Sequence, residues 1–408
     1  MDAFDYLFSL EQFGIKFGLE NITAIVERLG RPERAYRTVH IAGTNGKGSV
    51  TAMVDAALRA AGHRSGRYTS PHLVALNERF VIDGRPVATD ALAAAVSDVR
   101  ALVDGMRRDG TLDVQPTFFE VTTAVAFELF RRAAIDVAVI EVGLGGRLDA
   151  TNVVAPAATA ITSIGFDHQL YLGATLEAIA LEKAGIVKAA VPIVVGDIVV
   201  EPLAAIERVA RERGAPVVRT SPSDVAGFSI GLRGDHQLGN AAVAMRILRL
   251  LDAQGVRIDD AAVATGLARP EWPGRLDERR LPDGRRMLLD AAHNPAGAAA
   301  LASYLRSGPP VPLVFAAMRD KDVDGMFREL LPAVSALIAT SATNPRSADP
   351  ESIAARARVI APALRVAVEP SLSDALAAAW RLSPRIVVAG SIFLLGDLLK
   401  LENVNSEI

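Results

Sequence analysis

Residues 38–49 read Thr38-Val39-His40-Ile41-Ala42-Gly43-Thr44-Asn45-Gly46-Lys47-Gly48-Ser49. The first five residues predict a short buried strand, and residues 49–61, followed by Gly62, predict a helix. Glycines between them let the backbone curl around an anion, the helix N-terminus adds positive partial charge, and a lysine can reach the outer phosphates. A glycine-rich turn with a surface lysine is the alternative. The order of elements favours a phosphate-binding loop, whose nucleotide contacts are Gly43, Thr44, Asn45, Gly46, Lys47, Gly48 and Ser49.

This loop departs from the common pattern at one position. In most phosphate loops, a serine or threonine directly follows the lysine and binds Mg²⁺. Gly48 occupies that place here, and Ser49 comes one residue later. We therefore expect Ser49 to lie beside phosphate and the magnesium to find most of its ligands elsewhere.

Two candidates for that role follow predicted strands. Glu141 ends the apolar run at residues 136–142, where a carboxylate at a strand's carboxyl end can bind Mg²⁺ beside a phosphate loop. His168 follows the next run, residues 157–164. The alternatives are a solvated strand-end carboxylate and an ordinary polar histidine.

Lys183 is harder to interpret from the sequence, because a lysine ammonium beside a magnesium site would be repelled by the cation. One resolution is carbamylation, in which a neutral amine captures CO₂ and becomes an anion. The alternative is an ordinary solvated lysine.

The remaining pattern predicts an α/β fold with two domains. Helical spacing dominates the first forty residues, and strand candidates at 136–142, 157–164 and 192–195 alternate with helices, which predicts a mostly parallel sheet. Glu271-Trp272-Pro273-Gly274-Arg275 indicates a boundary. Beyond it, runs at 287–289, 311–315, 336–339 and 386–388 predict a smaller, Rossmann-like α/β domain. The predicted division is 1–275, a linker at 276–284, and 285–408.

The amino-acid composition limits the kinds of molecule that the protein is expected to bind. A chain of 408 residues suits two domains, and a formal net charge of -3 without a basic tail argues against nucleic acid. The absence of cysteine excludes disulfides and thiolate chemistry, and fits a reducing cytoplasm. Neither a signal peptide nor an apolar membrane-spanning run is predicted. We expect a cytoplasmic monomer without membrane partners.

Ten segments together resemble one family, the folylpolyglutamate and dihydrofolate synthases of the Mur ligase superfamily. The match runs through nearly the whole chain, and its most specific parts are EVGLGGRLDATN at 141–152 and SIGFDH with EKAGIVK inside 161–188. The other segments are 40–49, 69–73 with 78–79, 117–120, 236–241, 273–275, 290–295, 320–322 and 390–393.

The resemblance implies a role for each matching residue. The magnesium ligands, for two ions, would be Ser70, Glu141 and His168. Contacts with ATP would come from Asn240, Arg275 and Asp290, and His293 would line an interdomain cleft. The pteroyl pocket would be formed by Thr117, Phe119, Asp149 and Ala150, and Ser391 would be a further substrate contact. Lys183, and not Lys188, matches the lysine that is carbamylated in this superfamily. Ala291 replaces a glycine common in the family, a change that would tighten the backbone near the nucleotide.

The implied activity is ATP-dependent ligation of L-glutamate to dihydropteroate, to the γ-carboxylate of folate polyglutamates, or to both. ATP would convert the acid to an acyl phosphate, with Lys47 and Arg275 steadying the transferring group, and domain closure would exclude water. The rivals are a Mur-type ligase acting on a cell-wall precursor, a phosphate-loop NTPase, and a non-catalytic binding protein.

Overall fold

The computed structural model describes residues 2–14 and 16–406. The chain forms two compact units. The first comprises the chain up to Gly231 together with Leu238–Glu271, and the second comprises Leu232–Gln237 together with the chain from Trp272 onward.

The first unit is built on an eight-stranded sheet in the order β4-β3-β2-β5-β1-β6-β7-β8. The strands from β2 to β8 in this order are parallel, and β3 and β4 continue the sheet in antiparallel pairing. Their bounds are β1 Arg37–Ala42, β2 Ser65–Tyr68, β3 Phe80–Ile82, β4 Arg85–Pro86, β5 Val137–Glu141, β6 Ala158–Ile161, β7 Ile193–Val195 and β8 Val217–Arg219.

Helices cover this sheet and bury its apolar strands. One core cluster joins α1, α2, α4 and α5 to the sheet, and a second joins α7 and α8 to β6 and β7. The helices are α1 Ala3–Ser9, α2 Glu20–Arg28, α3 Lys47–Ala60, α4 Thr89–Arg108, α5 Phe118–Arg132, α6 Gln169–Leu172, α7 Leu176–Ala184, α8 Val200–Glu212, α9 His236–Ala253 and α10 Asp260–Ala268.

The second unit has a six-stranded sheet in the order β13-β12-β11-β14-β10-β9, parallel except for β9. The strands are β9 Asp277–Arg280, β10 Arg286–Asp290, β11 Val311–Phe315, β12 Val334–Ala339, β13 Arg365–Val368 and β14 Arg385–Ala389. The helices are α11 Pro295–Leu305, α12 Val323–Leu330, α13 Pro350–Ile360, α14 Leu372–Trp380 and α15 Ile392–Ser406.

These elements confirm the predicted α/β class with mostly parallel sheets. The predicted linker at 276–284 instead contains β9, which pairs antiparallel with β10. Its sequence, Asp-Glu-Arg-Arg, gives no apolar signal because an edge strand needs little burial. The compact units separate after Glu271, a few residues before the predicted end of the first domain.

The sequence pattern also failed to predict β2, although this strand lies inside the sheet. Its residues Ser-Gly-Arg-Tyr are polar for a central strand. The structure explains the polarity, because the fully buried Asp55 carboxylate on α3 accepts a hydrogen bond from Ser65 Oγ at 2.6 Å and lies 3.6 Å from the Arg67 guanidinium. A paired buried charge thus replaces the expected apolar residue.

Among the described residues, none of the helices combines the length and the hydropathy that crossing a membrane would require.

Candidate active site

The residues of the first unit that are predicted to bind phosphate and metal follow neighbouring parallel strands. In the order β2, β5, β1 and β6, these strands are adjacent, with Tyr68 opposite Ile140, Ile41 opposite Glu141, and Ala42 opposite Ile161. Their carboxyl ends therefore meet at one edge of the sheet, which is where open α/β sheets bind ligands. The segments containing Ser70, Glu141, the phosphate loop and His168 all begin at this edge.

The phosphate loop is fastened to the segment that follows β6. Thr44 N donates to Ser163 O at 2.9 Å, Asn45 N donates to Ser163 Oγ at 3.0 Å, and Gly165 N donates to Thr44 Oγ1 at 3.0 Å. The helix α3 begins at Lys47, inside the loop segment and two residues before the predicted start. Because the first turn of a helix leaves its N–H groups without intrahelical partners, this arrangement offers donors to an anion.

Gly46 is the point where the loop cannot accept a side chain. Its φ of 86° lies in the left-handed region, and an added Cβ would lie 2.2 Å from Asn240 Oδ1. Asn240, on α9, therefore packs directly against the phosphate loop.

Gly46→Ala should displace the loop and weaken ATP binding by about tenfold or more, because left-handed strain and the Asn240 clash together cost on the order of 1–3 kcal/mol. Isothermal titration with a non-hydrolysable ATP analogue measures this. The matched control is Gly239→Ala on α9, where an added Cβ meets nothing within 4 Å. Equal affinities for wild type and Gly46→Ala would contradict the proposed geometry.

Two lysines converge on one carbonyl group at the start of this loop. Lys47 Nζ donates to Gly43 O at 3.0 Å and lies 3.9 Å from Glu141 Oε1, while Lys183 Nζ donates to the same Gly43 O at 3.0 Å. Burial, and next the positive charge of Lys47, lower the pKa of Lys183 to about 7. Near neutral pH, a substantial share of Lys183 is therefore the uncharged, nucleophilic amine.

The donor set fits a nucleotide-bound divalent ion. Glu141, only 6% exposed, would supply one carboxylate, and the Ser70 hydroxyl and the His168 imidazole are the other predicted donors, each after a neighbouring strand. Within residues 2–14 and 16–406, no three histidine, aspartate or glutamate side chains are grouped as a preformed metal site. Mg²⁺ commonly binds through one or two carboxylates together with substrate phosphates and water, so this sparse set suits it.

The residues predicted for the pteroyl pocket come from α5 and from the glycine-rich segment after β5. Phe119 lies against this segment, since a Cβ on Gly143 would be 2.5 Å from its Cζ, and its ring packs on Tyr68 with centroids 6.1 Å apart. Thr117 is the N-cap of α5, and Ala150 is buried in a short 3₁₀ turn.

Asp149 holds the glycine-rich segment in shape. Its buried carboxylate accepts hydrogen bonds from Leu144 N at 2.8 Å and from Thr151 N at 3.0 Å. Burial raises the pKa of Asp149, and these hydrogen bonds oppose the rise. The carboxylate is thus a fixed acceptor at the wall of the predicted pocket.

In the second unit, the predicted residues also meet at a sheet edge. Asp290 ends β10, whose parallel neighbour β14 is followed by Ser391, with Asp290 opposite Ala389. Asp290 accepts from Leu276 N at 2.8 Å and Ala292 N at 2.9 Å, and burial raises the pKa of this carboxyl group, which the charge of Arg275 opposes. His293 Nδ1 lies 2.8 Å from Ala291 O.

Ala291, which stands where the family commonly has glycine, has an ordinary backbone conformation. It is not among the described non-glycine residues with positive φ. The substitution therefore adds no left-handed strain beside Asp290.

Two residues of this region were assigned no role from the sequence. His40 is buried in β1, where its Nε2 lies 2.8 Å from Thr151 Oγ1, and burial lowers its pKa to about 3, so it is a neutral structural group. Arg79 is buried beside Phe118. The sequence signal for Arg79 was the resemblance of residues 69–73 with 78–79 to the family's mobile substrate loop, which gave no role to the arginine itself.

Family models match both units. The Mur ligase middle domain matches residues 41–196, and the Mur ligase, glutamate ligase domain matches residues 274–392. Together with the phosphate loop and its acidic neighbour, these matches define the class as an ATP-dependent ligase of the Mur type.

Relatives define the family within that class. The chain is 36% identical over 373 residues to dihydrofolate synthase/folylpolyglutamate synthase of Bacillus subtilis, covering 85% of this chain and 86% of the relative. It is 37% identical over 396 residues to the Mycobacterium tuberculosis protein of the same name, covering 88% and 81%. The chain belongs to the dihydrofolate synthase/folylpolyglutamate synthase family.

Solved structures agree over nearly the full length. M. tuberculosis folylpolyglutamate synthase complexed with ADP and AMPPCP has a TM-score of 0.88 at 35% identity, covering 98% of this chain and 99% of that chain. Escherichia coli FolC in complex with DHPP and ADP has a TM-score of 0.88 at 29% identity, covering 100% of this chain and 99% of that chain. The Yersinia pestis bifunctional synthase with AMPPNP and Mn has a TM-score of 0.85 at 30% identity, covering 99% of this chain and 98% of that chain.

Proposed function

We propose that the protein uses ATP to join L-glutamate to dihydropteroate, to the γ-carboxylate of a reduced folate, or to both. The observation that carries this proposal is the phosphate loop whose Lys47 lies 3.9 Å from Glu141, next to the segment shaped by Asp149. The folate-pathway relatives support such an acid over a cell-wall precursor.

The reaction needs activation because a carboxylate is a poor electrophile. A carboxylate oxygen attacks the γ-phosphorus of ATP, the bond to the β–γ bridging oxygen breaks, and ADP leaves. The glutamate amine then attacks the acyl carbon, inorganic phosphate departs, and the amine loses a proton to solvent. No side-chain nucleophile is required.

The chain's own residues position and neutralise the charged groups. Lys47 and the N-terminus of α3 stabilise phosphate charge, which is usually the largest catalytic term in such a step. Glu141, Ser70 and His168 are the proposed Mg²⁺ ligands, and the ion would neutralise phosphate and carboxylate charge when bound. Phe119, Asp149 and Ala150 would hold the pteroyl group. Arg275, Asp290 and His293 are the proposed nucleotide contacts of the second unit, and Ser391 is a proposed substrate contact.

ADP should form only when ATP, a pteroyl acid and L-glutamate are all present. A coupled ADP assay with each substrate omitted in turn measures this, and mass spectrometry of the product identifies the acid that gained glutamate. If ADP is released as fast without the acid and glutamate as with them, the ligase proposal is wrong and the protein is better described as an NTPase.

A further inference from the structure

The loop that follows β2 is closed onto the turn that precedes β3. Glu78 accepts hydrogen bonds from Leu73 N at 2.7 Å, Val74 N at 2.9 Å and Ala75 N at 2.8 Å. The next residue, Arg79, donates from Nε to His72 Nδ1 at 2.9 Å. These hydrogen bonds therefore fix the conformation of the loop and the position of the Arg79 side chain.

Arg79 carries a charge for which the described residues supply no direct counter-ion. The residue is only 9% exposed, and burial lowers the pKa of its guanidinium. Glu11, Glu78 and Glu141 are near enough to oppose that shift, but no carboxylate of the described residues forms an ion pair with it. Buried arginines are almost always paired, because removing an uncompensated charge from water is costly.

Arg67, one strand away, shows the usual solution. It is also mostly buried, and its guanidinium lies 3.6 Å from the Asp55 carboxylate. Arg79 instead has an aromatic ring on one side, with its Cζ 5.1 Å from the centroid of Phe118. A guanidinium that is stacked and held by Nε keeps its outer Nη donors oriented, which suits bidentate binding of a carboxylate.

The position of Arg79 connects it to the proposed acid site. Thr69 N donates to Arg79 O at 3.2 Å, so the arginine adjoins the segment containing Ser70. Phe118 directly precedes Phe119 and follows Thr117, both of which we place in the pteroyl pocket. A carboxylate of the bound acid is therefore the most direct counter-ion for this guanidinium.

The chemistry of the reaction indicates which carboxylate this is. The reacting carboxylate must attack phosphorus, and a bidentate guanidinium would hold both of its oxygens and reduce their nucleophilicity. A folate that ends in glutamate carries a second carboxylate, at its α-carbon, which takes no part in the reaction. Dihydropteroate has only one carboxylate.

We propose that Arg79 binds the non-reacting α-carboxylate of the terminal glutamate of a folate substrate, and so selects glutamate-tailed acids for chain extension. This inference rests on the proposed function.

The test compares three acids with wild type and Arg79→Gln. The first acid is tetrahydrofolate. The second is an analogue of tetrahydrofolate in which 4-aminobutyrate replaces the glutamate, so that only the α-carboxylate is missing. The third is dihydropteroate. For tetrahydrofolate, kcat/KM should fall about 10- to 100-fold, the effect of losing a charge-assisted hydrogen-bonded pair. For the analogue and for dihydropteroate, kcat/KM of Arg79→Gln should differ from that of the wild type by less than about threefold. The preference of the wild type for tetrahydrofolate over the analogue should therefore be absent from the variant.

Arg79→Lys serves as a second variant, because it keeps the charge but loses the bidentate fork. It should show an intermediate preference, and it keeps the test valid if Arg79→Gln does not fold. Equal losses with all three acids would overturn the inference, since a structural role or a contact with the reacting carboxylate acts on each. A wild type that accepts only dihydropteroate also overturns it. A wild type that turns over none of the acids overturns the proposed function, and the inference with it.

Discussion

Glu141→Gln should lower the turnover number by about 1,000-fold, a loss typical of removing a preorganised electrostatic group from an active site. Glu141 is 6% exposed at the end of β5 and lies 3.9 Å from Lys47 Nζ. The amide keeps the shape of the side chain but removes the charge that would bind Mg²⁺ and balance the lysine.

A steady-state ADP assay at saturating acid and glutamate measures the loss, and thermal unfolding checks that the fold survives. The control is Glu177→Gln, which removes an exposed carboxylate 3.0 Å from Arg208 Nη2. Surface pairs of this kind contribute little, so this variant should match the wild type. Near-normal turnover of Glu141→Gln at ordinary Mg²⁺ concentrations would remove Glu141 from the site.

Lys183→Ala should cost about 100-fold or more in turnover, comparable to losing a preorganised group at the phosphate site. We propose that Lys183 is carbamylated in the active enzyme. The neutral amine attacks CO₂, an N–C bond forms, and a proton leaves, so the buried cation beside Lys47 becomes an anion. The pKa of about 7 makes this feasible, because burial and Lys47 disfavour the ammonium.

The lowered pKa of Lys183 sets how the rate of carbamylation should change with pH. The neutral fraction of Lys183 increases as pH rises through 7, so enzyme depleted of CO₂ should regain activity faster at pH 8 than at pH 6 when bicarbonate is added. Acetate should partly restore Lys183→Ala by occupying the vacated volume.

Carbon-13 NMR after ¹³CO₂ labelling observes the modification directly. The carbamate signal should be present in the wild type and in Lys188→Ala, and absent from Lys183→Ala. Lys188 is the matched control because it lies on the same segment and its pKa is also lowered by burial, to about 8. A fully active, bicarbonate-saturated wild type without the signal would defeat the proposal.

Much of the fold was predictable because its central strands are buried on both sides. The runs at 136–142, 311–315 and 386–388 are apolar for that reason, and the structure places β5, β11 and β14 there. Six short strands escaped prediction: β2, β3, β4, β8, β9 and β13. All but β3 contain arginine or acidic residues that are paired or at an edge. Periodicity does not detect a strand whose charges are neutralised by distant parts of the chain.

The phosphate loop was determined by the sequence itself, since strand, glycines, lysine and helix are contiguous and each position follows from local backbone chemistry. The position of Glu141 at the carboxyl end of a strand beside that loop predicted a Mg²⁺ ligand, and the family resemblance implied the same role. The predicted role of Lys183 rested mainly on the resemblance, because an ordinary solvated lysine gives the same local sequence. Only the tertiary structure brought Lys183 to the carbonyl of Gly43, across 140 positions of sequence. It also buried Arg79 with no paired carboxylate among the residues that the structure describes. Burial and the pairing of charges depend on which distant segments pack together, and that is decided by the assembled sheet and its helices.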